Sequence, residues 1–400
     1  MTARRTVLIS GAGVAGLTLA HWLHRGGHAV TVVERAGGPR DGGYPVDLRG
    51  TAVEVARRTG ILPRLRESRV DLRRATFLRA DGTEVASVPA RAVAGGAGAE
   101  HLEVRRGDLT AALYAGVRDD VEFLFGDRAD TLDARADGVD VTFRGGHRRT
   151  FDLVVGADGV HSATRGAVFG AEERFHHYLG HCFGIYTMPN TLGLSHELAM
   201  WNAPGRAAAL YAAGDGDEAL HAFLTFHRPT PPGAPPHREA LAAVFADAGW
   251  EVPRMLDALR DAGDLFVDTA GQIRMPRWSR GRVALVGDAA YAPSFLTGQG
   301  TGLALAGAYT LARALVTHED HTAAFAAYEQ GTRPYVTANQ ALAGDGGTTL
   351  FPTTAEALER RDARLRSLTV LPPPPAHPAY SALTLPGSEV SGVTRARPVR

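Results

Sequence analysis

Residues Gly11, Ala12, Gly13, Val14, Ala15 and Gly16 form a G-x-G-x-x-G run between two apolar stretches, TVLIS at 6–10 and AVTVV at 29–33, and the second stretch ends in Glu34. No other feature constrains the chain as strongly. Strand, glycine turn, helix, strand and acid follow one another in the order and spacing of a βαβ dinucleotide site. Gly11 permits the tight turn, Gly13 lets backbone approach a pyrophosphate, and Gly16 lets helix and strand pack closely. The helix that opens at Val14 and Ala15 offers free N–H groups and a positive dipole end to phosphates. Glu34, followed by Arg35, can accept hydrogen bonds from ribose hydroxyls. A carboxylate at that position disfavours a 2′-phosphate, so FAD or NAD fits better than NADP. A secretory leader, with Arg4 and Arg5 ahead of an apolar run, is the alternative, but it has no use for the glycines or the second strand.

A chain of 400 residues can bury a large core and holds two domains in this reading. Its 43 basic and 43 acidic residues cancel, so no long-range field favours nucleic acid or an anionic membrane. Every basic residue is Arg, and the absence of Lys removes each mechanism that needs a lysine amine. The single cysteine, Cys182, makes no intramolecular disulfide, no CxxC pair and no cysteine-rich metal cluster. It is expected to be a small core residue on a strand. No apolar run reaches membrane-spanning length without Gly or charge. The expectation is a cytoplasmic monomer or homodimer with no metal and no nucleic-acid or membrane partner.

Along the chain, strands are expected at 121–125, 139–143, 151–156 and 283–286, and a hairpin at 77–88 turns at Asp81-Gly82. Helices are expected at 51–58, 108–117, 238–248, 254–262, 301–315 and 355–368. Between Cys182 and His227 the pattern changes to alternating, aromatic-bearing strands of a second, more antiparallel sheet. The fold class is therefore α/β, a Rossmann-like dinucleotide-binding domain with an inserted, mainly antiparallel sheet; by resemblance to a flavoprotein family whose motifs follow, the first is an FAD-binding domain of the glutathione-reductase type and the insert a substrate domain. Residues 1–75, 100–175 and 270–340 are assigned to the first domain, and 76–99 and 176–269 to the insert. Residues 341–386 form a C-terminal helical segment. Residues 387–400 form a loosely ordered tail, and small-residue and proline-rich loops are expected at 92–99, 229–236 and 372–375.

Two further motifs repeat the first one's logic. DLVVGADGVHSATR at 152–165 and GRVALVGDAAYAPSFLTGQGTGLAL at 281–305 are each a buried strand that runs into a glycine-rich, acid-bearing turn. Asp158 and Asp288 fall just past strand carboxyl ends, where ligands gather in open α/β sheets. Gly298, Gln299 and Gly300 open a helix that continues through Thr301 and Gly302, so their amides can face an electron-rich group.

With these three motifs in this order, residues 4–340 resemble the class A flavoprotein monooxygenases, the para-hydroxybenzoate hydroxylase-like family, and most closely its actinobacterial polyketide- and tetracycline-type hydroxylases. The resemblance implies that Gly11, Gly13, Gly16 and Glu34 bind the ADP half of non-covalent FAD and that Arg106 lies along the flavin and its phosphates. It implies that Asp158 and Gly159 sit near FAD and handle NAD(P)H, that Gly287 and Asp288 meet the ribityl chain, and that Pro293 and Gly298–Gly300 border the isoalloxazine. Two departures stand out. Tyr291 replaces the family's usual His, and Ala306-Gly307 replace an acidic residue, which puts one flavin contact in doubt.

The implied reaction uses NADPH or NADH as a transient co-substrate and O₂, through a C4a-(hydro)peroxyflavin, to hydroxylate a small aromatic or polycyclic molecule. A two-electron oxidase or dehydrogenase, a Baeyer–Villiger oxygenase and a non-catalytic flavin protein remain open on the same fold. A flavin halogenase lacks its lysine and its paired tryptophans here. A disulfide reductase lacks a second cysteine. A metal hydrolase has only His176-His177, which is expected on a solvated loop. For the substrate pocket, Met200, Trp201 and Tyr211 stand on strands expected to face the cleft, with sheet core as the even alternative. Arg49, Pro293 and Phe295 are further pocket candidates, Arg49 being equally readable as a solvent-facing turn residue. His221 and His227 read as surface or core histidines. No general base for the substrate can be named.

Overall fold

The computed structural model describes residues 4–39, 43–90, 101–214, 218–344, 350–367 and 377–387. A six-stranded sheet carries the motifs. Its order is Ser279–Arg280, Val283–Leu285, Leu153–Gly156, Thr6–Ser10, Ala29–Glu34 and Glu122–Phe125. Every neighbouring pair is parallel except the edge pair at 279–280. Parallel strands bury both faces, which is why they read as unbroken apolar runs. Helices Val14–Arg25 and Gly300–Thr317 pack against each other. Both are rich in Ala, Gly and Leu, which allows close approach.

The opposite face of this sheet is covered by three antiparallel strands, Ala129–Ala134, Val139–Phe143 and Arg148–Phe151. Val139, Val141, Phe143 and Phe151 join Leu8, Val33, Val154 and Val283 in one buried cluster. The strand at 129–134 escapes sequence reading because it is largely solvent-facing and carries three acidic or polar positions, so it shows no apolar alternation.

The second sheet has seven strands in the order Phe266–Ile273, His176–Pro189, Ala219–His227, Arg206–Ala212, Glu197–Ala203, Arg74–Leu78 and Glu84–Pro89. Its neighbours are antiparallel except where 197–203 meets 74–78. The hairpin at 74–89 thus extends the sheet formed by residues far along the chain. One face packs on helices Arg238–Val244 and Val252–Asp261 through Cys182, Tyr186, Trp201, Leu210 and Leu224. The other face turns toward the motif-bearing sheet.

Several local expectations need correction. His176 and His177 are the first residues of a 14-residue strand and do not lie on a loop. The helix His321–Ala341 was not expected, because Gly331 and Pro334 interrupt it. It forms because Asp320 caps the Thr322 and Ala323 amides and because Phe325, Tyr328, Thr332, Tyr335, Val336 and Asn339 make a continuous buried stripe. The helix at 238–244 ends four residues before its expected span, and the helix at 106–115 keeps its expected length but starts two residues earlier. The loops expected at 92–99 and 372–375 lie outside the described residues, as does the tail apart from Gly387. No described helix is long and apolar enough to cross a membrane.

Candidate active site

The first turn is a backbone construction. Gly11 has φ +108°, and its N–H donates to Val33 O at 2.8 Å. A Cβ at Gly16 would stand 1.9 Å from Gly11 O, so helix and turn touch there with no room for a side chain. A Cβ at Gly13 would meet nothing within 4 Å. The helix that follows has no side-chain cap at its N-terminus. Its first amides therefore face an open cradle, which is what a pyrophosphate requires. Glu34 closes the turn: its two carboxylate oxygens accept the amides of Ala12 and Ala36, each at 2.9 Å. The acid expected to meet ribose thus also holds the turn, with lone pairs left for a hydroxyl. Arg35 is exposed beside it.

The third motif comes within contact of the first. A Cβ at Gly287 (φ +66°) would sit 2.8 Å from Ala15 Cβ. Asp288 follows, and its side chain opens onto the crevice although it lies deep in it. That enclosure holds its carboxyl above the usual range, against the pull of Arg106. Gly300 lies 3.8 Å from Asp288 Oδ1, measured from where its Cβ would be. Helix 300–317 starts without a side-chain cap, so the amides of Gly300, Thr301 and Gly302 open the same crevice. Gln299 is buried, and its Nε2 donates to Thr297 O at 3.4 Å. Pro293 O accepts Gln272 Nε2 at 3.0 Å. The next residue, Ser294, has φ +78° and ψ 149°, a region that non-glycine residues enter at a cost of about 1–3 kcal/mol. The loop at the crevice is therefore held in a strained shape by its surroundings.

The acid of the second motif is held by its own turn. Asp158 accepts Ser162 Oγ at 2.5 Å on one oxygen, and the amide and hydroxyl of Thr164 at 2.9 Å on the other. Its carboxylate shapes the turn. Behind it, fully buried Arg165 donates to Ala289 O at 3.0 Å and to Glu172 Oε2 at 2.5 Å. This guanidinium ties the second motif to the third. His161 links Glu172 at 2.8 Å and Asp268 at 3.1 Å, and these two carboxylates push its imidazole up to about 10.

The two departures from the family pattern are one feature. A Cβ at Gly307 would lie 1.8 Å from the Tyr291 hydroxyl oxygen. Tyr291 is buried, and its hydroxyl accepts from Tyr328 at 3.0 Å. The larger ring at 291 thus requires the missing side chain at 307.

Over this crevice lies the inward face of the second sheet. Met200, Ala207 and Ala209 are buried there, with half-buried Phe223, Phe295 and Leu296 against them. Phe183 and Phe295 rings are 4.6 Å apart, Phe223 and Phe295 5.5 Å, and Phe295 and Phe351 6.1 Å. Phe295 comes from the strained loop, so the aromatic cluster joins the sheet to the crevice. Met200 and Tyr211 face inward as expected. Trp201 does not: alternation turns it to the outer helices, 6.4 Å from Phe245. Arg49 is not a solvent-facing turn residue. It is buried, its NH2 pairs with Asp47 at 2.7 Å, and its NH1 donates to Tyr380 Oη at 3.0 Å. Phe183, Phe223, Phe351 and Glu103 stand beside these candidates in the structure although no sequence motif singles them out. Among the described residues no cluster of His, Cys, Asp and Glu could hold a metal ion, and Cys182 is a buried thiol on a strand.

Three glycine-bearing turns meeting at the carboxyl edge of a parallel sheet, beneath an aromatic-faced antiparallel sheet, define a two-sheet dinucleotide-binding protein with an aromatic-walled crevice. The family model for the FAD binding domain matches residues 4–343. A flavin-dependent monooxygenase from an unidentified prokaryote is 35% identical over 365 residues, covering 90% of this chain and 94% of its own length. An uncharacterised Mycobacterium tuberculosis H37Rv protein is 40% identical, covering 89% and 97%. The crystal structure of the tetracycline destructase Tet(55) superimposes with a TM-score of 0.83 at 33% identity, covering 97% of this chain and 100% of that one. The chain belongs to this FAD-binding family, the class A para-hydroxybenzoate hydroxylase-like monooxygenases, and is an FAD-dependent monooxygenase.

Proposed function

We propose that this monooxygenase places one oxygen atom on a flat, hydroxylated aromatic or polycyclic molecule held between the inward face of the seven-stranded sheet and the crevice. The observation that carries this is the aromatic cluster of Phe183, Phe223 and Phe295, which joins both walls. Phenylalanine rings at 4.6–6.0 Å suit stacking against a planar ligand and leave its polar groups to be met elsewhere. The likeness to a tetracycline destructase structure supports a polycyclic ligand.

In this reading, bound FAD supplies the oxygen-activating chemistry, and the chain supplies position, charge and dryness. Gly11, Gly13, Val14, Ala15 and Gly16 hold the pyrophosphate, with Glu34 and Arg35 at the ribose. Arg106 and Asp288 bracket the middle of the cofactor. Pro293 borders the ring system, and the Gly298–Gly302 turn faces it with backbone amides. Asp158 acts by shaping its turn. Residues 1–75, 100–175 and 270–340 serve the cofactor, and 76–99 and 176–269 serve the substrate. NADPH or NADH visits the shared cleft, since no second glycine fingerprint exists to house it. A buried free thiol and a need for NAD(P)H suit a cytoplasmic monomer or homodimer.

NADPH and NADH consumption by the holoenzyme, measured against a panel of phenols, hydroxyanthraquinones and tetracyclines, tests the reading. The expected result is substrate-stimulated oxidation with a one-oxygen mass gain in the product. Oxidation without oxygen gain for any member of the panel overturns it.

A further inference from the structure

The long helix His321–Ala341 has a second stripe besides the one it buries in the core. Arg333, Val336, Thr337, Gln340 and Ala341 recur at i, i+3, i+4, i+7 and i+8. They face the chain that leaves strand Phe266–Ile273, where Ile273, Arg274 and Met275 stand. Between these two walls lies a cavity of about 330 Å³, with buried Trp278 and Tyr291 on its inner side. That volume is at the lower end of small-molecule sites and suits a ligand of one or two rings.

The cavity is apolar on most sides and positively charged on one. Ile273, Met275, Val336 and Ala341 supply the apolar part. Arg333 is fully engaged: its guanidinium carbon lies 4.6 Å from the Trp278 ring centroid, its Nη1 donates to Met275 O at 3.1 Å, and Glu329 pairs with its Nη2. Arg274 differs. Its Nε donates to Gln272 Oε1 at 2.9 Å, which sets the plane of the guanidinium. Among the described residues neither of its Nη groups meets an acceptor, and no carboxylate pairs with it. The other titratable groups beside it are His176 and His177, which bring no negative charge. Burial and Arg274 hold the His177 imidazole below its ordinary range.

Two glutamines form the partition between this cavity and the cofactor crevice. Gln272 Nε2 donates to Pro293 O at 3.0 Å and to Gln340 O at 2.7 Å. Gln340 Nε2 donates to Ile273 O at 2.9 Å and to Ala292 O at 3.2 Å. Gln272 is buried, so its amide has no water to exchange for these partners. The Arg274 guanidinium is therefore two hydrogen bonds from the Pro293 carbonyl. Pro293 is followed by strained Ser294 and by Phe295 of the aromatic cluster.

We propose that this cavity is a second ligand site, separate from the crevice, for a small planar carboxylate of one or two rings. The rings lie among Ile273, Met275 and Val336, and the carboxylate takes the free Nη groups of Arg274. A planar guanidinium fork matches a carboxylate in geometry as well as charge. Because Gln272 joins Arg274 to Pro293, occupancy of the site is felt at the loop that borders the crevice. The ligand is an effector and not the molecule that is oxygenated, so the site stands independently of the substrate reading above.

The probe is 2-naphthoate. Equilibrium dialysis against the FAD-loaded full chain should show saturable binding, with neutral 2-naphthamide held about tenfold more weakly. Arg274→Gln should weaken 2-naphthoate by about the same factor, and Arg274→Lys, which keeps the charge and loses the fork, should recover part of it. Thr337→Trp, on the exposed rim of the helix, should fill the cavity and abolish binding. In the wild type 2-naphthoate should shift the visible flavin band, and Arg274→Gln and Thr337→Trp should lose that shift with FAD content unchanged. Failure of the wild type to bind 2-naphthoate overturns the site. So does binding that Arg274→Gln and Thr337→Trp both leave intact, which would put the probe in the crevice. Binding that needs Arg274 but leaves the flavin band unmoved upholds the site and overturns its link to Pro293.

Discussion

The cofactor crevice and the substrate face are built from different parts of the polypeptide. The crevice is largely backbone: amides at two uncapped helix starts, positive-φ glycines, and contacts too close for a Cβ at Gly16 and Gly287. The sheet face above it is largely side chain, brought together from positions more than a hundred residues apart. Phe183 faces Phe295, and Glu103 receives Tyr211. A backbone site needs glycine at fixed spacing, so it writes itself into sequence. A side-chain site needs only that certain rings share a face, and many sequences satisfy that.

The largest expected effect breaks the backbone half. Gly16→Ala puts a methyl group 1.9 Å from Gly11 O, where only backbone could yield. The turn must open, and the loss should exceed the roughly 3 kcal/mol upper end of ordinary overpacking. Denaturation and flavin absorbance should show an unstable, flavin-poor protein. Gly13→Ala is the control, because its Cβ meets nothing within 4 Å. It should fold normally yet hold FAD weakly, since the methyl group occupies the cradle. Equal behaviour of the two variants would erase the distinction between a packing glycine and a binding glycine.

Gly307→Ala tests the one place where a side chain intrudes on the backbone half. Its Cβ would meet the Tyr291 hydroxyl at 1.8 Å, and Tyr291 is held by Tyr328 inside the core. A loss of about 1–3 kcal/mol is expected in urea denaturation. Tyr291→Phe in the same chain should recover part of it by removing the clashing oxygen. A neutral Gly307→Ala would separate the two departures again.

Asp288→Ala removes a charged acceptor from the crevice. If the carboxylate accepts a cofactor hydroxyl, about 1.5–3 kcal/mol of binding is lost, roughly ten- to a hundredfold in FAD affinity. The melting temperature of the apoprotein should not fall, because among the described residues no group hydrogen-bonds that carboxylate. FAD titration and apoprotein melting separate the two effects. On the sheet, Met200→Ala should leave FAD bound while diverting NADPH oxidation to hydrogen peroxide, because a gap beside Phe295 and Leu296 admits water. Unchanged coupling and product yield would make Met200 a packing residue.

This contrast also explains what sequence could tell. The glycine turns, Glu34 and Asp288 were readable because each lies within a short segment whose strand, turn and helix are contiguous. The partners of Asp158, Ser162 and Thr164 a few residues on, are a local hydrogen-bond choice that the motif does not encode. Trp201 stays open between cleft and sheet core in the sequence because period two fixes alternation and not which face is inward. Glu103 had no signal at all. Its meaning depends on Asp47, 56 residues earlier, and Tyr211, 108 residues later.

The smallest effect compares one histidine from each half. His21, in the glycine-turn helix, is lowered to about 4 by burial and by Arg25. His181, on the inward sheet face beside Phe351, is lowered to about 4 by burial and by His227. Among the described residues His21 Nε2 and His181 Nδ1 are both buried without a partner. Both imidazoles are therefore neutral when folded, while the unfolded chain takes up protons near pH 6.5. Between pH 6.5 and about 4 the unfolded state binds more protons, so stability falls as pH falls and levels off below about 4. His181→Phe should flatten part of that acid limb in denaturation measured from pH 7.5 to 4.5, and the His21 share should remain. A hydroxylated aromatic ligand, by giving His181 Nδ1 a partner, should steady the sheet-side share and leave the His21 share untouched. If His181→Phe leaves the limb unchanged, the imidazole on the substrate face is already charged or hydrated in the folded protein, and that face is wetter than its phenylalanines imply.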